Sequence, residues 1–359
     1  MQSSERNLYI DVMKGILIIL VVIGHLPFFD YNSRTLILIY SFHMPAFLII
    51  GGMLSHINKD SRLSSIIIKR LKNTLLPYFI FSLITFFILP VSSKDRLISA
   101  VLAVFRGLGD PINSLNLPLW FLTYYFVVML TFEIIEWLSY KIKNLFTEKD
   151  VYYPVAIFNL IFIIPLMYFS YIYAKTYHFP RIPFNVEISL FSLLFVYVGK
   201  IFSVYIQKSI SIIKKDLFLK ILFIILSTIL VSIFIIFWYK FSMSNGRIDL
   251  NARDYKNARL MYVDAFLGFI IFSYFSYIIS LIPFVNKFLA SLGENSIYIL
   301  AYHVPSVFYI NVFILPILPQ VVGIALSKTS IISIALYASL NILFSLVLAF
   351  FQKSVKKSA

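Results

Sequence analysis

The stretch Asp11-Val-Met-Lys14-Gly15-Ile-Leu-Ile-Ile-Leu-Val-Val-Ile-Gly24-His25 has the apolar character of a membrane-spanning helix, yet it carries an acid, a lysine and a histidine. On an α-helix, positions 14 and 25 point in nearly the same direction, about 16 Å apart along the axis, and Asp11 lies one turn before Lys14. Each charged group at membrane depth costs about 2.5–3.5 kcal/mol on insertion scales. The stripe indicates a functional site, unless Lys14 and His25 are boundary residues that reach the two membrane interfaces.

Composition predicts that the whole chain is an all-α, polytopic membrane protein. Of its 359 residues, 60% are hydrophobic and 13% are charged, which is about half the charged share of an ordinary soluble protein. Apolar runs long enough to cross a bilayer recur from end to end, and they predict about ten spans. The approximate spans are 8–28, 36–56, 74–92, 118–138, 152–173, 187–206, 217–239, 260–282, 294–316 and 330–351.

The formal net charge of +15 is explained by lysines and arginines in cytoplasmic loops, so nucleic acid is not a predicted partner. Placing both termini in the cytoplasm puts the basic connections 56–73, 207–220 and 352–359 on the inner side. The outer loop 240–259 is also rich in cations, and it either meets an anionic glycan or departs from the charge rule. With no soluble domain and no internal repeat, residues 1–359 are predicted to form one transmembrane domain of the cell membrane.

The absence of cysteine excludes a thiol nucleophile, a disulfide and a thiolate metal site. No two of the five histidines have the spacing of zinc ligands, and no metal is predicted. His43 begins His43-Met-Pro45 in the second span, at a depth comparable with that of His25. The two histidines either share a polar pocket or are buried singly against backbone carbonyls. The histidines stand at positions 25, 43, 56, 178 and 303.

These segments together resemble acyltransferase family 3, a family of membrane proteins that O-acylate cell-envelope glycans and related molecules. The first helix, with Lys14, ten intervening residues and His25, is similar to that family's first helix. The segments FHMPAFLIIGGM (42–53), KRLKNTLLPY (69–78), LWFL (119–122) and SIYILAYH (296–303) resemble its later motifs in the same order. The resemblance is strongest to fucose 4-O-acetylase-like sugar acetyltransferases. Two departures are that Arg70 is followed by Asn73 instead of a second arginine, and that no periplasmic hydrolase-like domain is appended.

The resemblance implies acyl-CoA as a co-substrate, delivered from the cytoplasm, and no permanently bound cofactor. It assigns Lys69, Arg70 and Lys72 to the donor phosphates. On physical grounds alone, the same cluster would pair equally well with anionic lipid headgroups. The acceptor is expected to be a hydroxyl of a cell-envelope or exported glycan, and the acyl group an acetyl or a similarly small one.

The same resemblance assigns the catalytic role to the polar stripe of the first helix. His25 is expected to be the general base for the acceptor hydroxyl, or to carry a transient acyl group. Lys14 is too far from His25 to bond it, and it either contacts the donor or pairs with Asp11 at i,i+3 spacing. Second candidates for polarising the carbonyl or positioning the acceptor are His43, Trp120 and His303.

Two other classes of function remain open at the level of sequence. A transporter or flippase of lipid-linked saccharides also needs about ten spans, intramembrane polar groups and proline-broken helices. A non-catalytic scaffold of an envelope-synthesis complex would use the histidines only for packing. Whether copies of the chain associate with one another is also open.

Overall fold

The computed structural model describes residues 8–26, 29–110, 112–146, 152–176, 181–206, 217–314, 316 and 331–358. Nearly all of these ranges are helical, and the β-bridge they contain joins Asp249 to Asp254 in a short connection. The prediction of an all-α, polytopic membrane protein is confirmed. His178 lies outside the described residues.

Eight helices of the described ranges are long and apolar enough to cross a membrane. They are Arg34–Met53, Leu63–Ile88, Leu117–Phe146, Tyr152–Thr176, Ile221–Asn245, Ala258–Ser280, Ser296–Phe313 and Ile331–Lys353. A ninth span results if Pro183–Phe191 and Leu193–Val204, which meet at 55°, are counted together. The first helix, Leu8–Gly24, has 17 residues, at the short end of spanning lengths. Each predicted span therefore corresponds to a helix, and one of these helices is bent.

Two shorter helices lie where the sequence predicted connections. Lys94–Arg106 begins at Ser93, whose hydroxyl accepts a hydrogen bond from Arg96 N at 3.1 Å, and it ends at Gly107 with a left-handed φ of 62°. At 13 residues it is too short to span a bilayer. Between its charged ends, its exposed side chains are nevertheless apolar, which is typical of a helix that lies in the membrane interface. These exposed side chains are Leu97, Ile98, Val101, Leu102 and Phe105. The other short helix is Val285–Glu294.

The first of two compact units contains the described residues of Met1–Met44, Leu226–Ile248 and Tyr255–Ala359. Within it, the first helix crosses Val285–Glu294 at a pair of glycines. A Cβ on Gly15 would lie 2.0 Å from the carbonyl oxygen of Leu289, and a Cβ on Gly293 would lie 1.9 Å from that of Asp11. Glycine has no side chain, so glycine at both points allows the two backbones to approach closely. This crossing holds in place the turn that carries Asp11 and Lys14.

The second compact unit contains the described residues of Pro45–Ile225 together with Asp249–Asp254. A second close crossing of helices occurs here, between Gly52 and Gly199. A Cβ on Gly52 would lie 2.0 Å from the carbonyl oxygen of Val196, and one on Gly199 would lie 1.9 Å from that of Ile49. This contact packs the end of the second helix against Leu193–Val204.

Candidate active site

The polar stripe of the first helix begins with an ion pair. Lys14 Nζ lies 2.7 Å from Asp11 Oδ1, at the i,i+3 spacing that the sequence predicted for this pair. Asp11 is buried, while the Lys14 side chain keeps 22% of its surface exposed. The lysine therefore neutralises a buried carboxylate and still reaches the surface of its unit.

His25 follows the last turn of the first helix and is oriented by that helix. Its Nδ1 lies 2.8 Å from the carbonyl oxygen of Val21. A carbonyl oxygen only accepts hydrogen bonds, so Nδ1 carries the proton and Nε2 carries the lone pair. The ring meets that of His303 edge-on, with 4.9 Å between ring centroids. In the neutral ring, the nitrogen that accepts hydrogen bonds is therefore Nε2, at the end of the polar stripe.

His43 and His303 are held in the same way as His25, each by the carbonyl of its own helix. Nδ1 of His43 lies 2.6 Å from Ile39 O, and Nδ1 of His303 lies 2.8 Å from Leu300 O. Both rings are buried, and Nε2 of His303 has no hydrogen-bond partner among the residues that the structure describes. Three histidines from three helices of the first unit therefore share one tautomer, with Nε2 as the acceptor in each.

Tyr40 joins these histidines into one cluster. Its ring meets His43 edge-on at 5.0 Å between centroids and lies 6.4 Å from the ring of His25. Its hydroxyl is 3.5 Å from the carbonyl oxygen of Gly24, next to His25 in the chain. These ring contacts link His25, His43 and His303, while each histidine also bonds a backbone carbonyl of its own helix. We call His25, Tyr40, His43 and His303 the histidine cluster.

The backbone around His303 is tied to the last helix. Asn341, which is fully buried, donates from Nδ2 to the carbonyl oxygen of His303 at 2.9 Å. Pro305 lies two residues further on inside Ser296–Tyr309 and has no N–H to donate. The amide of Asn341 therefore adds a tie between the last helix and the turn just before this proline.

Arg247 is a functional candidate that the sequence pointed to only as part of the basic outer loop. Its guanidinium carbon lies 3.8 Å from the ring centroid of Tyr31 and 4.1 Å from that of Tyr40. Arg247 itself is only 8% exposed. Arg247 therefore covers Tyr40, the tyrosine whose ring contacts His25 and His43. Of the other cations of the loop, Arg253 lies 3.7 Å from Glu187 in the second unit, whereas Lys256 and Arg259 are exposed.

In the second unit, the predicted donor cluster is divided between a buried pair and the surface. Lys69 and Lys72 are exposed, but Arg70 is buried. Nε of Arg70 donates to Oε2 of Glu133 at 2.7 Å, and its Nη2 donates to Oε1. Asn73, which stands where the family usually has a second arginine, is exposed on the same turn. The two lysines are therefore the exposed cations of this stretch.

The buried charges extend to a second pair, which sequence reasoning missed. Lys200 Nζ lies 3.3 Å from Glu136 Oε1 and donates to the carbonyl oxygen of Ser55 at 2.9 Å. Tyr152 donates its hydroxyl to the same carboxylate at 3.0 Å. The sequence did contain a signal for buried ion pairs. Glu133 and Glu136 stand three residues apart in a predicted span, and each buried acid requires a partner.

Trp120 begins the long helix Trp120–Phe146 and is buried in the second unit. It lines a partly open cavity together with the buried polar side chains Ser82, Thr85 and Asn116. Asn116 Nδ2 lies 3.2 Å from Thr85 Oγ1. An indole beside hydroxyl and amide groups has the chemistry for a sugar ring, although the same indole also packs on Tyr124 at 5.3 Å between centroids.

The described residues thus define a multi-pass helical membrane protein with a cluster of imidazole rings in one unit and buried ion pairs in the other. No group of three histidine, aspartate or glutamate side chains in the described ranges is placed to hold a metal ion. The chain belongs to acyltransferase family 3, whose acyltransferase domain matches residues 7–350. It is therefore a membrane acyltransferase, as the ordered motifs predicted, and the transporter and scaffold alternatives are set aside. Comparisons with curated proteins and with solved structures gave no match.

Proposed function

We propose that this acyltransferase moves an acetyl or similarly small acyl group from acyl-CoA to a hydroxyl of a cell-envelope or exported glycan, with His25 as the general base. The observation that carries the proposal is the hydrogen bond of 2.8 Å between His25 Nδ1 and Val21 O. It fixes the tautomer whose Nε2 can take a proton. A second imidazole, that of His303, packs against the His25 ring.

The reaction follows from this arrangement. The acceptor oxygen attacks the thioester carbonyl carbon while its proton passes to His25 Nε2. The tetrahedral intermediate then expels the thiolate of CoA, which takes the proton back from the imidazolium. A route through an acyl-histidine uses the same nitrogen as nucleophile, and it would give a labelled enzyme when the acceptor is withheld. His43 and His303 are proposed to orient the acceptor or polarise the carbonyl.

Donor binding is proposed to involve the exposed lysines Lys69 and Lys72. Lys14, which pairs with Asp11, is proposed to contact the donor too. Flexible exposed ammonium groups bind the phosphates of acyl-CoA more readily than a guanidinium that is already paired. Arg70 is proposed to serve this site indirectly, by holding its helical turn to Glu133. Acyl-CoA is a co-substrate in this scheme, and it enters from the cytoplasmic side.

The acceptor is proposed to be a saccharide, with Trp120 stacking on a sugar ring. Trp120 lines a partly open cavity with Ser82, Thr85 and Asn116, and this cavity of about 30 Å³ would have to widen to admit a sugar ring. The likeness of the motifs to fucose 4-O-acetylase-like enzymes favours the same substrate class. The proposed location is the cell membrane, where both an exported glycan and cytoplasmic acyl-CoA are within reach.

Membrane vesicles carrying the full-length chain and its native envelope glycans test the proposal. Radiolabelled acetyl-CoA should label the glycan fraction, and the label should be released by mild base as an ester. His25→Ala should lower the labelling rate about 100-fold or more, which is the usual contribution of a general base. His56→Ala, which removes a histidine outside the cluster, is the matched control. Full labelling by a stably inserted His25→Ala protein would falsify the assignment of His25.

A further inference from the structure

The chain turns sharply just before Arg247, and this turn places the arginine against the histidine cluster. The helix Leu217–Asn245 is followed by Gly246, whose φ is 80°, in the left-handed region that favours glycine. Gly246 N donates to Ser242 O at 2.9 Å and closes the helix end. No atom lies within 4 Å of a Cβ built on Gly246, so only its backbone angle requires glycine.

Arg247 lies against two aromatic rings, those of Tyr31 and Tyr40. The distances of 3.8 and 4.1 Å from its guanidinium carbon to the two ring centroids are those of close cation–π contacts. A guanidinium stays charged and carries five N–H donors in one plane. Held beside the histidine cluster, such a fixed positive charge can be put to catalytic use.

Acyl transfer supplies such a use. As the acceptor attacks, the carbonyl oxygen of the thioester gains a negative charge, and stabilising that charge is commonly the largest single contribution to catalysis. His25 accepts a proton and so does not carry positive charge until the attack is under way. Lys14 lies three helical turns, about 16 Å, from His25. Arg247 lies over the face of the Tyr40 ring. The same ring contacts both His25 and His43.

We infer that Arg247 donates a hydrogen bond to the oxyanion that forms while the acyl group passes from the thioester to the acceptor. This inference rests on the proposed function. In the step, the acceptor oxygen bonds to the carbonyl carbon, its proton moves to His25 Nε2, and the carbonyl π electrons become the oxyanion beside Arg247. Collapse restores the carbonyl and releases the CoA thiolate, which recovers the proton. Arg247 is neither consumed nor deprotonated.

The test compares two reactions of full-length protein in vesicles, with acetyl-CoA as the probe. One is transfer of label to envelope glycan, and the other is the slow release of CoA when water stands in for the acceptor. Arg247→Ala should lower kcat of both reactions about 100-fold or more, with little change in the KM for acetyl-CoA. Arg247→Lys should recover part of the loss. Arg259→Ala, an exposed arginine of the same segment, is the matched control.

Chemical rescue makes the test independent of folding. Arg247→Ala removes a guanidinium that lies against two tyrosine rings, so millimolar guanidinium should restore several-fold activity, whereas equal concentrations of sodium should not. Gly246→Ala keeps the arginine but strains its approach, and it should lower kcat without being rescued. A stably inserted Arg247→Ala protein with normal kcat, or with transfer lost while hydrolysis is unchanged, would overturn the inference, as would failure of guanidinium rescue.

The same vesicles separate this inference from the proposed function. If His25→Ala abolishes transfer while Arg247→Ala is fully active, only the role of Arg247 is lost. If His25→Ala also transfers normally, the histidine cluster is not the site of acyl transfer, and both assignments fail.

Discussion

Arg70 and Glu133 form a two-point ion pair inside the second unit, although they lie 63 residues apart in the chain. The pair is buried, and Ser55 adds a longer contact from its hydroxyl to the same carboxylate at 3.4 Å. A buried carboxylate that loses its cation is costly, so this pair ties the basic turn at 69–72 to the long helix Trp120–Phe146. The role of Arg70 must therefore be separated from that of its two lysine neighbours.

Arg70→Ala is expected to destabilise the protein by about 3–5 kcal/mol, because it leaves Glu133 charged, buried and unpaired. Replacing both residues, as in Arg70→Leu with Glu133→Leu, should recover most of this loss, since no buried charge then remains. Thermal unfolding in detergent would measure both proteins. If the double variant unfolds as early as Arg70→Ala, the ion pair is not what Arg70 contributes.

Lys69→Ala with Lys72→Ala should raise the KM for acetyl-CoA about tenfold and leave the unfolding temperature unchanged. Both side chains are exposed, so their removal disturbs no packing, but it takes away two cations that are proposed to meet the donor phosphates. Labelled acetyl-CoA binding at several salt concentrations would check this, because screening should weaken the wild type more than the variant. Lys287→Ala, another exposed lysine, is the control. An unchanged KM would indicate that the two lysines bind lipid headgroups and not the donor.

Gly15→Ala should lower the free energy of unfolding by about 1–3 kcal/mol, the usual cost of overpacking, and the full cost is expected here because the obstructing atom is backbone. The new Cβ would lie 2.0 Å from Leu289 O, which cannot move without displacing the helix Val285–Glu294. Gly24→Ala is a suitable comparison, since its Cβ would meet only side-chain atoms, the nearest being Tyr40 Cε2 at 3.3 Å. Equal stability of the two variants would contradict the close crossing.

Asn341→Leu should lower kcat about tenfold while the protein still inserts and binds acetyl-CoA. Leucine keeps nearly the same volume but cannot donate to His303 O, so the hydrogen bond that ties this turn to the last helix is lost, at a cost of about 0.5–1.5 kcal/mol. The backbone that carries His303 is then free to shift away from His25. Initial rates of glycan labelling, compared with acetyl-CoA affinity, would show the effect. A loss of affinity with kcat unchanged would be evidence against a positioning role.

The membrane spans and the polar stripe could be predicted because both depend on local sequence. Apolar runs give the span positions, and the 3.6-residue period alone places Asp11, Lys14 and His25 on one stripe. The bend between Phe191 and Leu193 was not predicted. The residue between them is Ser192, and neither a proline nor a glycine stands there to mark a bend, which depends instead on the packing of its two halves.

The partners of the site were harder to predict, because each is distant in the chain. Arg247 is 207 residues from Tyr40, and nothing in a basic outer loop distinguishes one stacked arginine from its exposed neighbours. His303 could be proposed only through the family resemblance, whereas its contact with His25 required the fold. Glu133 and Glu136 were recoverable from sequence, since two acids on one face of an apolar span are rarely without cations.

The bonds from each imidazole Nδ1 to a carbonyl one turn earlier have a consequence for how the enzyme can change during evolution. Each of the three histidines takes its tautomer from its own helix, so the nitrogen that accepts hydrogen bonds in the neutral ring is fixed by that helix alone. Mutations in the surrounding walls can then alter which hydroxyl is presented without resetting the proton chemistry. Such a division suits a family whose members would diversify by acceptor while retaining one reaction.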